Sequence, residues 1–259
     1  MRSVFGIVTA LVVLAVSGCG GSSSTATLPD PTIKFVNVCP TTTNLAFDLN
    51  LDVMAASVLY ATASGEFTDI DFKSEFEGGY EVILRTAGGV SQLDNLFQVY
   101  NRDTHNVVVS YGLVNPAGEL SKRAQLITFP VDRSAPTGNR SRLIVLNAYV
   151  RATGFETPAM DFQSFIPGDA SSIENPQYKL TGIEFGNANI SAQSITVDSG
   201  SRSFLARRNE VTGLEEFARL QNFTLNPGRI YLVILTGQEG NATPSLLPAL
   251  KVFELTTKN

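Results

Sequence analysis

Beyond residue 31 the chain alternates short apolar runs with Gly, Pro, Asn and Asp. Runs of this length, rich in β-branched and aromatic residues and bounded by turn formers, predict strands. Ten stand out: residues 33–38, 45–51, 80–85, 106–112 and 124–129, then 142–148, 159–165, 204–208, 230–236 and 250–255. One stretch, residues 213–221, spaces Leu214, Phe217, Ala218 and Leu220 as a helix would, but without a clean cap, so a strand and turn fits equally. Alternation in Tyr80-Glu81-Val82-Ile83-Leu84-Arg85 is imperfect yet suits a strand with one face in a core. The fold class predicted is all-β.

The two series of five look like copies of one unit. Ile33-Lys34-Phe35-Val36-Asn37-Val38 aligns with Leu143-Ile144-Val145-Leu146-Asn147-Ala148, and Ala46-Phe47-Asp48 with Ala159-Met160-Asp161. Further on, Val107-Val108-Val109-Ser110-Tyr111-Gly112 meets Leu232-Val233-Ile234-Leu235-Thr236-Gly237, and Ala124-Gln125-Leu126-Ile127 meets Ala249-Leu250-Lys251-Val252. The offset grows from about 110 to about 125 residues, so the second copy carries insertions. A period this long predicts duplicated domains, since solenoid repeats run to about 20–50 residues. Residues 133–140, polar and holding Pro136 and Gly138, make a linker between a first domain at 32–132 and a second at 141–259. Each is the size of an immunoglobulin-like or transthyretin-like β-sandwich.

The start of the chain has another character. Met1-Arg2-Ser3 precedes a largely apolar stretch to Val16, too short to span a bilayer, and then Ser17-Gly18-Cys19. Val16-Ser17-Gly18-Cys19 resembles the lipobox of bacterial lipoproteins. That resemblance implies a signal peptide at residues 1–18 and a diacylated Cys19 as lipid attachment site. The alternative is an ordinary signal peptide with a coincidental cysteine. Residues 19–31, with Gly20-Gly21-Ser22-Ser23-Ser24-Thr25, have the composition of a flexible tether. Two or three acyl chains, at about 0.8 kcal/mol per buried methylene, hold such a domain firmly. Gly20 stands where an Asp would resemble an inner-membrane retention signal, which leans toward the outer membrane of a Gram-negative envelope. The second cysteine, Cys39, then has no disulfide partner in the chain and reads as a small buried hydrophobe.

Asn37-Val38-Cys39-Pro40, Phe47-Asp48-Leu49, Gly78-Gly79-Tyr80 and Tyr111-Gly112 together resemble the secreted bacterial β-sandwich family called domain of unknown function 4397. The resemblance implies tandem sandwiches on a lipoprotein and adds no chemistry. The second copy departs from it, with Tyr149-Val150 in place of the Pro and Ser203-Phe204 in place of Gly-Tyr.

Composition narrows function further. Apolar residues make up 43% and charged ones 17%, the net charge is −5, and no basic run occurs. Binding to a phosphate backbone needs clustered Lys and Arg, so nucleic acid is excluded as a partner. The single histidine, His105, has no Gly-Xaa-Ser-Xaa-Gly elbow to serve and reads as a turn residue. One His and one spare Cys cannot assemble a zinc site, and no metal or cofactor is expected. Asp69-Ile70-Asp71 with Glu75 and Glu77 is the densest acidic cluster, open to a solvated strand face, calcium or carboxylate-dependent hydrolysis. Asp48 and Asp161, repeated between copies, suit a structural hydrogen bond to a loop backbone. Lys122-Arg123 and Arg207-Arg208 read as solvated pairs.

A carbohydrate-binding module usually shows a platform of rings. With no Trp, it would need Tyr60, Tyr80, Tyr100, Tyr111, Tyr149, Tyr178 or Tyr231. The function expected is a non-enzymatic binding, adhesion or assembly role in the cell envelope. Its partners would be a membrane, through the lipid, and an envelope protein or glycan.

Overall fold

The structure, a computed structural model, describes residues 28–71, 79–116, 118–152, 154–169, 177–187, 193–209 and 215–255. The signal peptide, Cys19, Glu75 and Glu77 lie outside the described residues. Seventeen strands and two short 3-10 turns make up the described secondary structure, so the all-β reading holds.

The first half contributes β1 (Thr32–Asn37), β2 (Leu45–Leu49), β3 (Asp52–Val58), β4 (Thr62–Ala63), β5 (Thr68–Asp69), β6 (Tyr80–Thr86), β7 (Gln92–Gln98), β8 (His105–Tyr111) and β9 (Gln125–Pro130). The second contributes β10 (Arg140–Val150), β11 (Met160–Phe165), β12 (Tyr178–Ile183), β13 (Ser194–Asp198), β14 (Gly200–Arg208), β15 (Glu216–Leu225), β16 (Ile230–Gln238) and β17 (Ala249–Leu255). Of residues 213–221, left open between helix and strand, 213 and 214 lie outside the described residues and 216–221 belong to β15: Ala218 pairs with Ala206 and Leu220 with Phe204.

Four sheets result, in the orders β4-β1-β8-β9 (with β5 also on β1), β3-β2-β6-β7, β13-β10-β16-β17 and β12-β11-β14-β15. The halves match strand for strand, except that the two short strands β4 and β5 on β1 stand where β13 alone lies on β10. In each, the opening strand runs parallel to the penultimate one, β1 to β8 and β10 to β16, while every other pairing is antiparallel. Each pair of sheets closes on its own core. One is built on Phe35, Phe47, Val82, Leu84 and Val108, the other on Val145, Phe162, Phe204, Tyr231 and Val233.

A third core joins them. Side chains alternate across a strand, so β1 sends Ile33 and Phe35 into its own sandwich and Val36 outward, with Val38 just beyond it. Likewise β10 sends Leu143 and Val145 inward and Ile144, Leu146 and Ala148 outward. The outward sets meet: Val36, Val107 and Val109 share a cluster with Ile144, Leu146, Leu232 and Ile234. The Thr236 hydroxyl crosses this seam to donate to the Val38 carbonyl at 2.7 Å, fully buried.

The molecule is therefore four layers deep, with β1, β8, β10 and β16 buried on both faces. This is why those strands read as near-continuous apolar runs instead of clean alternation, with Lys34 an interruption in β1. Burying such a side chain is worth about 1.5–3 kcal/mol. Half a dozen contribute on the order of 10 kcal/mol before ordering costs, comparable with the stability of a whole domain.

Candidate functional site

The loops after β8 and β10 leave the third core at the same end and enclose a crevice of about 470 Å³. Glu119, Ser121 and Lys122 line one wall; Gly154, Phe155, Glu156 and Thr157 line the other, with Phe185 between. A set of charged contacts holds the walls in register. Lys122 Nζ donates to the carbonyls of Arg151 (3.3 Å) and Ala152 (3.0 Å) and pairs with Glu119 Oε2 at 2.7 Å. Glu119 Oε1 accepts the Gly154 N–H at 2.5 Å. The hydrogen bond from Lys122, then that from Gly154, holds the Glu119 carboxyl below its ordinary range. Glu239 accepts the Ala152 N–H at 3.1 Å and pairs with Arg151 at 3.5 Å.

Lys122 is thus a correction to the expected solvated pair: it is buried, because three acceptors replace its water. Arg123 is exposed and lies 3.7 Å from Asp94. Arg208 is half-buried and reaches Glu215 at 3.1 Å.

Of the lining, Phe155 is 56% exposed, and Leu120, between Glu119 and Ser121 in the chain, is 73% exposed. The Arg151 guanidinium sits 5.0 Å from the Phe155 ring centroid, a cation–π contact that steadies a ring otherwise in water. Behind them Phe185 packs edge-on against Tyr111 at 5.1 Å, closing the floor. The recess offers a ring face, carboxylates and backbone groups on a rigid frame, which suits recognition.

The residues singled out from sequence are dispersed. Asp69 and Asp71 are exposed on either side of buried Ile70 and share a shallow recess of about 280 Å³ with Asp52 and Tyr80. Among the described residues no three His, Cys, Asp or Glu side chains could hold a metal ion. His105 opens β8 and exchanges a 2.7 Å hydrogen bond between Nδ1 and the Thr32 hydroxyl, its partner in the parallel register.

Asp48 is buried and ion-paired to Arg85 at 2.7 Å, whereas its counterpart Asp161 accepts from the Gly182 N–H at 3.1 Å and from Asn209, and pairs with Lys179 at 3.0 Å. The loop-backbone hydrogen bond expected of both is made by Asp161; Asp48 has an arginine instead. Cys39 is buried, and burial pushes its thiol up to about 12. Five of the seven tyrosines are buried and Tyr60 and Tyr178 half-buried, so the tyrosines form no exposed platform.

Sequence reasoning missed the crevice because its walls lie some 30 residues apart and match no motif. One trace was present. The offset between copies grows by three residues between Asn147 and Ala159, in the loop that carries Phe155.

No family model matches the chain, and no curated protein matches it. Among solved structures, one described as a "putative cell adhesion protein" from Bacteroides ovatus aligns over 90% of this chain and 100% of its own, at 10% identity and a TM-score of 0.21. At that TM-score the likeness carries no argument about fold or function.

Proposed function

We propose that the chain is a membrane-anchored cell-envelope lipoprotein, held through Cys19, that binds an envelope protein or glycan without catalysing a reaction. The lipobox-like Val16-Ser17-Gly18-Cys19 and the Gly/Ser stretch after it support the anchor. In this reading residues 32–132 and 141–259 are tandem domains of the unknown-function family they resemble, and Gly20 favours the outer membrane.

The observation that carries the binding role is the crevice. Its walls are locked by Lys122, Glu119 and Glu239, while Phe155 and Leu120 stay open to solvent. The tether leaves from the other end. The Arg102 guanidinium and the Asp103 N–H, just before β8 begins, bond Asp30 at 2.8 Å and the Pro29 carbonyl at 2.8 Å; the crevice loops follow the far ends of β8 and β10. Strands of six or seven residues separate the two ends by about 20 Å, so the recess faces away from the anchor. Phe155 also favours a glycan as one class of ligand, since an exposed ring can stack on a sugar.

The test has two parts. With a fatty-acid probe in living cells, wild type should take label while Cys19→Ala takes none and retains its signal peptide; a labelled Cys19→Ala protein would refute the anchor. Purified protein is then presented with envelope polysaccharides and envelope proteins. Binding should be lost in Phe155→Ala. Binding indifferent to that change, or turnover abolished by Asp69→Asn with Asp71→Asn, would refute the crevice or the non-enzymatic reading respectively.

A further inference from the structure

The end of the body that carries residue 28 also carries a cluster of exposed apolar side chains. β2 and β3 are joined through Asn50 and Leu51, both at positive φ, 49° and 73°. Asn50 suits that conformation: its side chain accepts the Glu81 N–H at 2.8 Å and its own N–H donates to the Glu81 carbonyl at 2.8 Å. Leu51 does not, for a bulky side chain is strained there and glycine would not be. It nevertheless stands 76% exposed. Across the same sheet Glu81 pairs with Phe97, which is 68% exposed on the outer face, and Val99 follows two residues later on the same side. Val53, opposite Asp48 in the neighbouring row, extends the patch. Leu28, where the described chain begins, is exposed at this end too.

We infer that this corner rests on the bilayer, with Leu51, Phe97 and Val99 dipping into the boundary between headgroups and acyl chains. The inference rests on the lipid-anchor reading. Leu28 lies nine positions beyond Cys19, a span of at most about 30 Å. The end that the tether enters is therefore the one held against the membrane, and apolar side chains set there bury by sinking about 5–10 Å into the interface. Charge narrows the surface. Asp52 adjoins Leu51 and Glu81 pairs with Phe97, whereas Arg102, Arg140, Arg142 and Arg229 at this end are engaged by Asp30, Asp198, Asp132 and Glu254, so the partner is a zwitterionic interface and anionic lipid weakens the contact.

The chain contains no tryptophan, so a single Trp reports its own surroundings. Cys39 is fully buried, so the mature chain can be coupled through Cys19 to a maleimide phospholipid in phosphatidylcholine vesicles, which supplies the tether whether or not cells lipidate it. Phe97→Trp and Leu51→Trp change exposed positions and leave the core intact. Val90→Trp, 96% exposed in the turn at the other end of the same sheet, is the control. Brominated acyl chains should quench Trp at 97 and 51 at least about twofold more than Trp at 90, and adding phosphatidylglycerol should reduce the difference. Equal quenching at all three positions on coupled protein would overturn the inference and leave the anchor standing. So would shielding of Trp at 97 that needs no vesicles and rises with protein concentration, which would assign the patch to a second copy. Failure of Cys19 to be lipidated in cells, with the quenching pattern intact, would remove the anchor and leave the surface.

Discussion

Asn37 and Asn147 occupy the same place in the two halves and make the same bonds. Asn37 Nδ2 donates to the carbonyl of Val58, the last residue of β3, at 2.9 Å, and its Oδ1 accepts the Cys39 N–H at 3.0 Å. Asn147 Nδ2 donates to the carbonyl of Ile183, the last residue of β12, at 3.1 Å, and its Oδ1 accepts the Tyr149 N–H at 3.2 Å. Each asparagine ties the facing sheets together from its central strand, Asn37 at the last residue of β1 and Asn147 three residues before the end of β10. Both are buried, so neither could be spared without orphaning backbone groups.

Replacing either with leucine should lower stability by about 1–3 kcal/mol, since the side chain is nearly isosteric but leaves a carbonyl and an N–H unpaired in the core. Chemical denaturation of Asn37→Leu and Asn147→Leu measures it, and a loss under about 0.5 kcal/mol would show the clamp to be dispensable.

The seam makes a second expectation. Two domains joined by a polar linker alone would melt separately; two domains sharing Ile144, Leu146, Leu232, Val36 and Val109 should melt together. Calorimetry of the mature chain should show one transition. Leu232→Ala, costing about 2–5 kcal/mol, should move the whole of it. Two resolved transitions would contradict the shared core.

Acid should weaken the second sandwich through Asp161. Burial alone would raise its pKa, but hydrogen bonds from Asn209, Lys179 and Gly182 prevail and hold it below the ordinary 3.8. A carboxyl depressed in the native state adds stability that is complete above its unfolded value and is lost as pH falls through the native one. Melting temperature should therefore drop below about pH 4, and more shallowly in Asp161→Asn. An equal slope in both proteins would exclude the contribution.

The thiol of Cys39, raised to about 12 by burial, should be inert in the folded protein at pH 8. In a Cys19→Ala background, a thiol reagent should label it only in denaturant. Stoichiometric labelling of native protein would place it at the surface.

Every strand read from the sequence is present, and the ones not read share a cause. β3, β7, β12, β13 and β15 are edge strands with exposed or half-buried positions throughout much of their length, and β4 and β5 are two residues each. Their polar and apolar residues mix because only part of one face meets a core, so no period rises above the turns around them. Asp52-Val53-Met54-Ala55-Ala56-Ser57-Val58 also carries two register shifts against β2, which break the alternation outright.

The third core was hidden for the opposite reason. Leu143-Ile144-Val145-Leu146 is apolar at every position, and such a run says that both faces are covered without saying by what. The crevice depends on that covering, since Lys122 and Ala152 come together only because the sheets behind them do.

The parallel pairing of β1 with β8 has a mechanical consequence. β1 is the first strand after the tether, and its six register pairs with β8 lie side by side along the direction in which the tether leaves. A cell dragged by whatever occupies the crevice would pull β1 lengthwise past β8, loading all of those hydrogen bonds at once instead of peeling them one after another. The same strand is gripped from both faces by apolar layers. Under the proposed anchorage, the first strand of the fold serves as a shear-loaded coupling between ligand and membrane.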